Sequence, residues 1–245
     1  GDLRKNIFVD TVESLQATAE DMSAQGVRAY FAMATFDDTG SRKVESARHI
    51  RALFMDLDCG WLEDKQVWKA FHSKKDAVQA LDAFLKATGL DTLGSPWLVD
   101  SGMGVHVHWP LAVEVTIEEW LPVARAMKAA ASHFGFPIDE TVTDDAARVL
   151  GIPGTNNCKY DPPKPVLLRH RGDVFALSDI AGKLTGYAPK TPLVNRVSSE
   201  LALLGPKPNA PASAIAKALA GNSVTYFKDI MVRTAEGTGC GQIAH

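Results

Sequence analysis

The run His49–Gly60, HIRALFMDLDCG, constrains this chain more than any other stretch. Its apolar and β-prone residues read as a strand, and Gly60 ends it. Side chains alternate faces along a strand, so Asp56 and Asp58 point the same way while Leu53, Met55 and Leu57 share the opposite, buried face. Carboxylates placed side by side raise one another's pKa unless a cation sits between them. Mg²⁺ or Mn²⁺ supplies such a cation through hard oxygen ligands, and sites of this kind also borrow substrate phosphates. Taken alone, the Asp-x-Asp pair equally fits a strand end that emerges into solvent.

The segments around it alternate irregularly. Thr11 to Met22 is helix-like, rich in Glu, Ala and Gln. VRAYFAMATF (Val27–Phe36) reads as one strand. KKDAVQALDAFLKATGL, beginning at Lys74, has apolar residues at 77, 78, 81, 84 and 85, which is helical spacing, and Gly89 suits its C-cap. PWLVDSGMGVHVHWPL is strand, glycine turn, strand. A further helix begins near Thr116, which with Glu119 fits a capping box, and Pro122 conflicts with an uninterrupted start. PIDETV and ARVLGIP are short extended candidates, KPVLLRHRGDVFAL looks like a strand pair, and SDIAGKL is a short helix with Ser178 as its cap. Hairpin-like strands mixed with helices favour an α+β fold over a doubly wound parallel sheet. Three units are expected: a catalytic domain over 1–188, a Pro-, Asn- and Ser-rich linker or wrapping segment over 189–213, and the start of a helical unit over 214–245. The chain opens on Gly1, not Met, which fits a processed or trimmed protein.

Two more clusters carry chemistry. In DSGMGVHVHW (Asp100–Trp109), Gly102 and Gly104 permit a tight turn and close backbone approach to a ligand. His106 and His108 follow on one strand face, and an imidazole there can donate to phosphate or bind metal. The bland alternative is a glycine hairpin with surface histidines. PIDETVTDDAARVLGIPGTNNCK supplies Asp139, Asp144 and Asp145, then Arg148, a PGTNN turn and Lys159. A carboxylate beside Arg and Lys is what holding a metal together with a triphosphate requires. It also fits an Asp-rich turn in which Arg148 pairs with Asp144.

Composition excludes some classes. No apolar run approaches the ~20 residues of a membrane span, and no secretory leader is legible, so a cytoplasmic location and no membrane partner are expected. Cys59, Cys158 and Cys240 form no zinc-type spacing and suit a reducing compartment. With a net charge of -3, any contact with nucleic acid must be local.

The order of the clusters resembles the archaeo-eukaryotic primase superfamily, in which an hDhD motif, a small-residue motif ending in His and a hydrophobe-Asp motif build one site. DLDCG, SGMGVHVHWPL and DAARVLGIPGTNNCK are most similar to primase-polymerases of phages and mobile elements. The likeness spans Ile50 to Val166, roughly half of the chain. One departure is Gly151, where a basic residue is expected. The resemblance implies an RRM-like catalytic sheet with a second small α/β subdomain. It implies two divalent ions, Mg²⁺ or Mn²⁺, at Asp56, Asp58 and Asp139, with Asp139 ranked above Asp145 and Asp144 because it follows Ile138. It further implies template-directed nucleotidyl transfer from dNTP or NTP, with Asp56, Asp58, Asp139 and His106 catalytic. Ser101, Gly104, His106, Arg148 and Lys159 would bind the nucleotide. Partners would be single-stranded or primed DNA and a helicase domain in a longer polypeptide.

Template contacts are expected among Lys74, Lys75, Lys164, Arg169, His170 and Arg171, and Trp97 and Trp109 flank the glycine turn as candidate stacking residues. One rival is a His-hydrophobe-His initiator or relaxase that nicks single-stranded DNA. It needs a Tyr nucleophile followed closely by Lys, and Tyr30, Tyr160, Tyr187 and Tyr226 lack that spacing. A non-catalytic replication-initiation module is a second rival. Sugar-nucleotide transferases with an Asp-x-Asp pair are a third, and they leave ARVLGIPGTNNCK unexplained.

Overall fold

The computed structural model describes residues 6–9, 11–37, 41–63, 65–187 and 241–244. Its helices are α1 (Val12–Ala24), α2 (Lys74–Thr88), α3 (Ile117–His133) and α4 (Leu177–Leu184). Its strands are β1 (Asn6–Val9), β2 (Tyr30–Ala32), β3 (Ala34–Phe36), β4 (Ala47–Asp58), β5 (Trp61–Leu62), β6 (Val67–Trp68), β7 (Trp97–Asp100), β8 (Gly104–Thr116), β9 (Val149–Gly151), β10 (Asn156–Asn157), β11 (Lys164–Pro165), β12 (Leu167–His170) and β13 (Gly241–Ala244). The fold is α+β. A five-stranded sheet runs β12-β7-β8-β4-β3 and a four-stranded sheet runs β1-β13-β2-β9, every neighbouring pair antiparallel.

β4 and β8 are the long central strands. Leu53, Met55 and Leu57 on β4 are fully buried, as are Val107 on β8 and Val99 on β7. Each such side chain contributes roughly 1.5–3 kcal/mol of burial, which fixes register because a slip by one residue would expose the set. Helices cover the sheets and are capped by their own sequence. Ser73 accepts from the Asp76 amide at the start of α2, and Gly89 ends that helix at φ 72°. Thr116 and Glu119 close the expected capping box on α3. Pro122 lies inside α3, which runs on through it to His133. Trp120 of α3 stacks on Phe54 with ring centroids 5.8 Å apart and donates its indole N–H to the Ala52 carbonyl at 2.9 Å.

Several expectations differ from what forms. VRAYFAMATF is two strands in different sheets, because the chain bends at Met33, whose amide bonds the Arg148 carbonyl at 2.9 Å. PIDETV forms no strand: residues 137–139 lie outside any regular element and 140–142 are turn. The KPVLLRH segment forms two strands that do not pair with each other: β11 joins β10, and β12 joins β7. Ser178 lies inside α4, whose N-cap is Ala176 with no side-chain hydrogen bond. The proposed linker over 189–213 lies outside the described residues. So does all of the 214–245 unit except β13, which pairs with β1 and β2.

Candidate active site

The register of β4 with β8 sets Asp56 opposite His106 and Asp58 opposite Gly104. Directly opposed residues share a sheet face, so the carboxylates and the imidazole stand together. His106 Nε2 lies 3.9 Å from Asp56 Oδ1, beyond hydrogen-bond reach. Gly104 is required where it is: a Cβ there would stand 2.7 Å from the Leu57 carbonyl oxygen, a backbone atom that cannot step aside. Ser101 closes the turn, its amide on the Gly104 carbonyl at 3.0 Å, and its own carbonyl accepts from Asn157 Nδ2 at 2.8 Å.

The third acidic cluster arrives from a distant part of the chain. The Asp139 amide donates to the Asp56 carbonyl at 3.1 Å, extending β4 along its open edge. Thr141 binds Asp139 Oδ1 through its hydroxyl (2.7 Å) and its amide (2.9 Å), and Arg148 approaches Oδ2 at 4.0 Å. The two neighbouring acids are occupied elsewhere. Asp144 pairs with Lys128 at 3.0 Å on α3, and Asp145 accepts from the Ala147 amide at 2.9 Å. Arg148 therefore turns towards Asp139 and not, as the bland reading has it, towards Asp144.

These neighbours set the charge state. Burial, and next to it the charge of Asp58, raise the Asp56 carboxyl from 3.8 to about 7; Asp139 adds to the rise, while Arg148 and Lys69 oppose it. Burial pushes the imidazoles of His106 and His108 down to about 3, so both are neutral at pH 7. Lys69 Nζ sits 2.6 Å from Asp58 Oδ1. Burial alone would lower that ammonium, but the hydrogen bond and charge of Asp58 outweigh it and raise its pKa. Nothing in the sequence singles out Lys69, because its reach to Asp58 depends on the β5–β6 hairpin folding back: its amide bonds the Gly60 carbonyl at 2.9 Å.

The structure thus brings together Asp56, Asp58, Asp139, His106 and Arg148, with Ser101 and Gly104 in the adjoining turn. Lys159 is exposed, and its side chain makes no hydrogen bond or ion pair among the described residues. His108, opposite Phe54 and 1% exposed, is set at 82° to the His106 ring with centroids 6.2 Å apart. Trp97 and Trp109 are core residues, each 1% exposed, so neither ring is open for a base to stack on; the accessible indole is Trp68, 51% exposed and edge-on to Trp61 at 5.3 Å. Of the expected template contacts, Lys74 and Arg169 both bind Asp100. Arg171 lies over the Trp97 ring, Lys164 over Tyr160, and His170 Nε2 is 3.1 Å from the Ser95 hydroxyl. Lys75 lines a cleft with Lys74, Val78, Leu98 and Arg169.

No three His, Cys, Asp or Glu side chains among the described residues form a ready-made metal cage. The donor set at Asp56, Asp58 and Asp139 is nevertheless all oxygen, and mutual repulsion adds to burial in raising the Asp56 carboxyl. That chemistry fits a hard divalent cation of the kind held by one or two carboxylates, water and substrate phosphate, and not by a cage of protein ligands. No helix among the described residues is long and apolar enough to cross a membrane.

No protein-family model and no curated protein matches the chain. Among solved structures, the chain is similar to the AEP domain of the primase-polymerase of cyanophage S-2L, at 15% identity, covering 76% of this chain and 89% of that one, with a TM-score of 0.44. It is also similar to the polymerase domain of Mycobacterium tuberculosis ligase D in complex with DNA, at 12% identity, covering 66% of this chain and 64% of that one, with a TM-score of 0.39.

Proposed function

We propose that this chain is a nucleotidyltransferase: the catalytic core of a DNA primase and polymerase that adds dNTP or NTP units on a DNA template, in phage or mobile-element replication. One observation carries the reading: the Asp139 amide bonds the Asp56 carbonyl, setting a third carboxylate beside the strand-end pair and across from His106. The five-stranded sheet is then the RRM-like catalytic sheet, and the four-stranded sheet with α1 the smaller subdomain.

Asp56, Asp58 and Asp139 would hold Mg²⁺ or Mn²⁺, which when bound supplies Lewis-acid charge for attack of a 3′-hydroxyl on an α-phosphate. The protein's own part is placement and charge. His106, neutral at pH 7, offers a hydrogen bond to a phosphate oxygen, and the Arg148 guanidinium supplies positive charge. The Ser101–Gly104 turn lets the triphosphate lie close against backbone. Lys69 holds Asp58 through a single hydrogen bond that an arriving cation would replace.

A gel assay tests this with an unprimed single strand, labelled dNTP or NTP and Mg²⁺ or Mn²⁺. Product is expected from the wild type and none from the Asp56→Ala/Asp58→Ala double variant. Near-normal synthesis by that variant would overturn the reading. A covalent phosphotyrosyl adduct with an oligonucleotide would favour the nicking alternative instead.

A further inference from the structure

Arg28 Nε, His106 Nδ1 and Arg148 Nε are each buried and make no hydrogen bond among the described residues. Buried polar groups are nearly always satisfied, and those that are not call for a water, an ion or a ligand. The three residues are also neighbours. Arg28 precedes β2, and its guanidinium lies 4.4 Å from the centroid of the Tyr30 ring. Tyr30 pairs with Gly151 on β9. Gly151 in turn faces His106, since a Cβ there would stand 3.9 Å from His106 Cε1. Gly151 thus brings β9 against the His106 ring, with the Val166 methyls 3.6 and 3.7 Å from the same Cβ position. His106 feels both guanidinium groups: burial depresses its pKa most, then His108, and the charges of Arg28 and Arg148 add to the effect.

The cations elsewhere around the site have partners. Lys69 sits on Asp58, and Lys74 and Arg169 sit on Asp100. Arg148 has only Asp139, at 4.0 Å, and Arg28 has no acidic partner among the described residues. Two guanidinium groups and an imidazole that each keep a buried N–H or ring nitrogen without a hydrogen-bond partner are complementary to a ligand with several charged oxygens.

We infer that Arg28 binds the phosphates of the incoming nucleoside triphosphate, completing a three-sided anion cradle with His106 and Arg148. This rests on the nucleotidyl-transfer reading above. It gives the four-stranded sheet a part in substrate binding, because the approach to β2 then supplies a ligand that the catalytic sheet lacks.

Equilibrium binding to the full chain tests it, using dTTP, dTMP and a single-stranded thymidine oligonucleotide as separate probes in Mg²⁺. Arg28→Gln should weaken dTTP binding by roughly tenfold to a hundredfold, the usual scale for a charge-assisted contact, and leave dTMP and the oligonucleotide within about twofold. Arg28→Lys, which keeps the charge but loses the planar fork, should fall between. Unchanged dTTP affinity in Arg28→Gln overturns the inference and leaves the proposed function standing. Loss of oligonucleotide affinity with dTTP intact also overturns it, and assigns Arg28 to DNA phosphate. Failure of the wild type to bind dTTP at all removes both this inference and the reading it rests on. A melting curve accompanies each variant. If Arg28→Gln does not fold, Arg28→Lys decides, with several-fold weaker dTTP binding supporting the cradle and wild-type binding overturning it.

Discussion

Asp56 and Asp100 stand near the C-terminal ends of β4 and β7, the two strands that flank β8, and are both largely enclosed, yet their carboxyls go opposite ways. Asp100 ends β7 and is 7% exposed. Burial alone would raise it, but Lys74, the Gly102 amide at 2.9 Å and Arg169 at 3.2 Å together hold it below the usual carboxylate range. Asp56 receives no such bonds. Its nearest basic atom is His106 Nε2 at 3.9 Å, on a neutral ring, and burial, with the charges of Asp58 and Asp139 added to it, raises its carboxyl to about 7. Burial pushes both carboxyls up; the partners decide whether that push is overcome. A carboxylate given its cations stabilises the turn it sits in, and a buried one without them keeps a raised pKa.

The sharpest way to break this contrast is Asp56→Asn. If the unpaired Asp56 carboxyl serves the proposed catalysis, nucleotide addition should fall by roughly a thousandfold or more, about 4 kcal/mol of transition-state stabilisation, read by primer extension in Mg²⁺. The same substitution should stabilise the metal-free fold. The folded state binds the Asp56 proton more tightly than the unfolded chain does, so stability is fully present below 3.8 and is lost as pH rises to about 7. Without divalent ions, Asp56→Asn should exceed the wild type by on the order of a few kcal/mol at pH 8 and lose that advantage near pH 4, in urea melts. The histidines have the reverse sign. Their folded pKa of about 3 lies below 6.5, so stability in both proteins should fall as pH drops from 6.5 towards 3.

Asp100→Ala should do the opposite of Asp56→Asn to the fold. It frees the Gly102 amide and leaves two cations unpaired. Lys74 and Arg169 are 38% and 60% exposed and regain water, so the cost should be roughly 1–2 kcal/mol, or about 5 °C in melting temperature. An unchanged melting point would show that the turn does not depend on its carboxylate. The smallest expected effect is that of Lys69→Ala. Lys69 lowers the Asp56 carboxyl from a short distance away, and its removal should move the alkaline-rising limb of the pH–rate profile upward by a few tenths of a unit.

Much of the site was legible from local pattern. The alternation of IRALFMDLD placed Asp56 and Asp58 on one face and buried Leu53, Met55 and Leu57 behind them, as the structure has it. Thr116, Glu119 and Gly89 marked helix ends correctly because caps act within one turn, whereas Ser178 did not. Asp100 was part of a conspicuous glycine motif, yet its binding of Lys74 and Arg169 could not be read, because those side chains come from α2 and β12. The split of VRAYFAMATF followed from a hydrogen bond to Arg148, far along the chain, which no window around Met33 contains.

The amino-acid sequence by itself determined which residues share a face, where helices start and stop, and that acids and histidines would crowd strand ends. These are consequences of backbone geometry with periods of two and 3.6 residues. Only the tertiary structure decided that Asp139, and not Asp144 or Asp145, lies beside Asp56, that Lys69 folds back onto Asp58, and that the charge of Arg28 reaches His106. The physical reason is that each depends on which distant segments pack together. Packing is chosen by the summed burial of the whole core, not by the residues that end up meeting at the site.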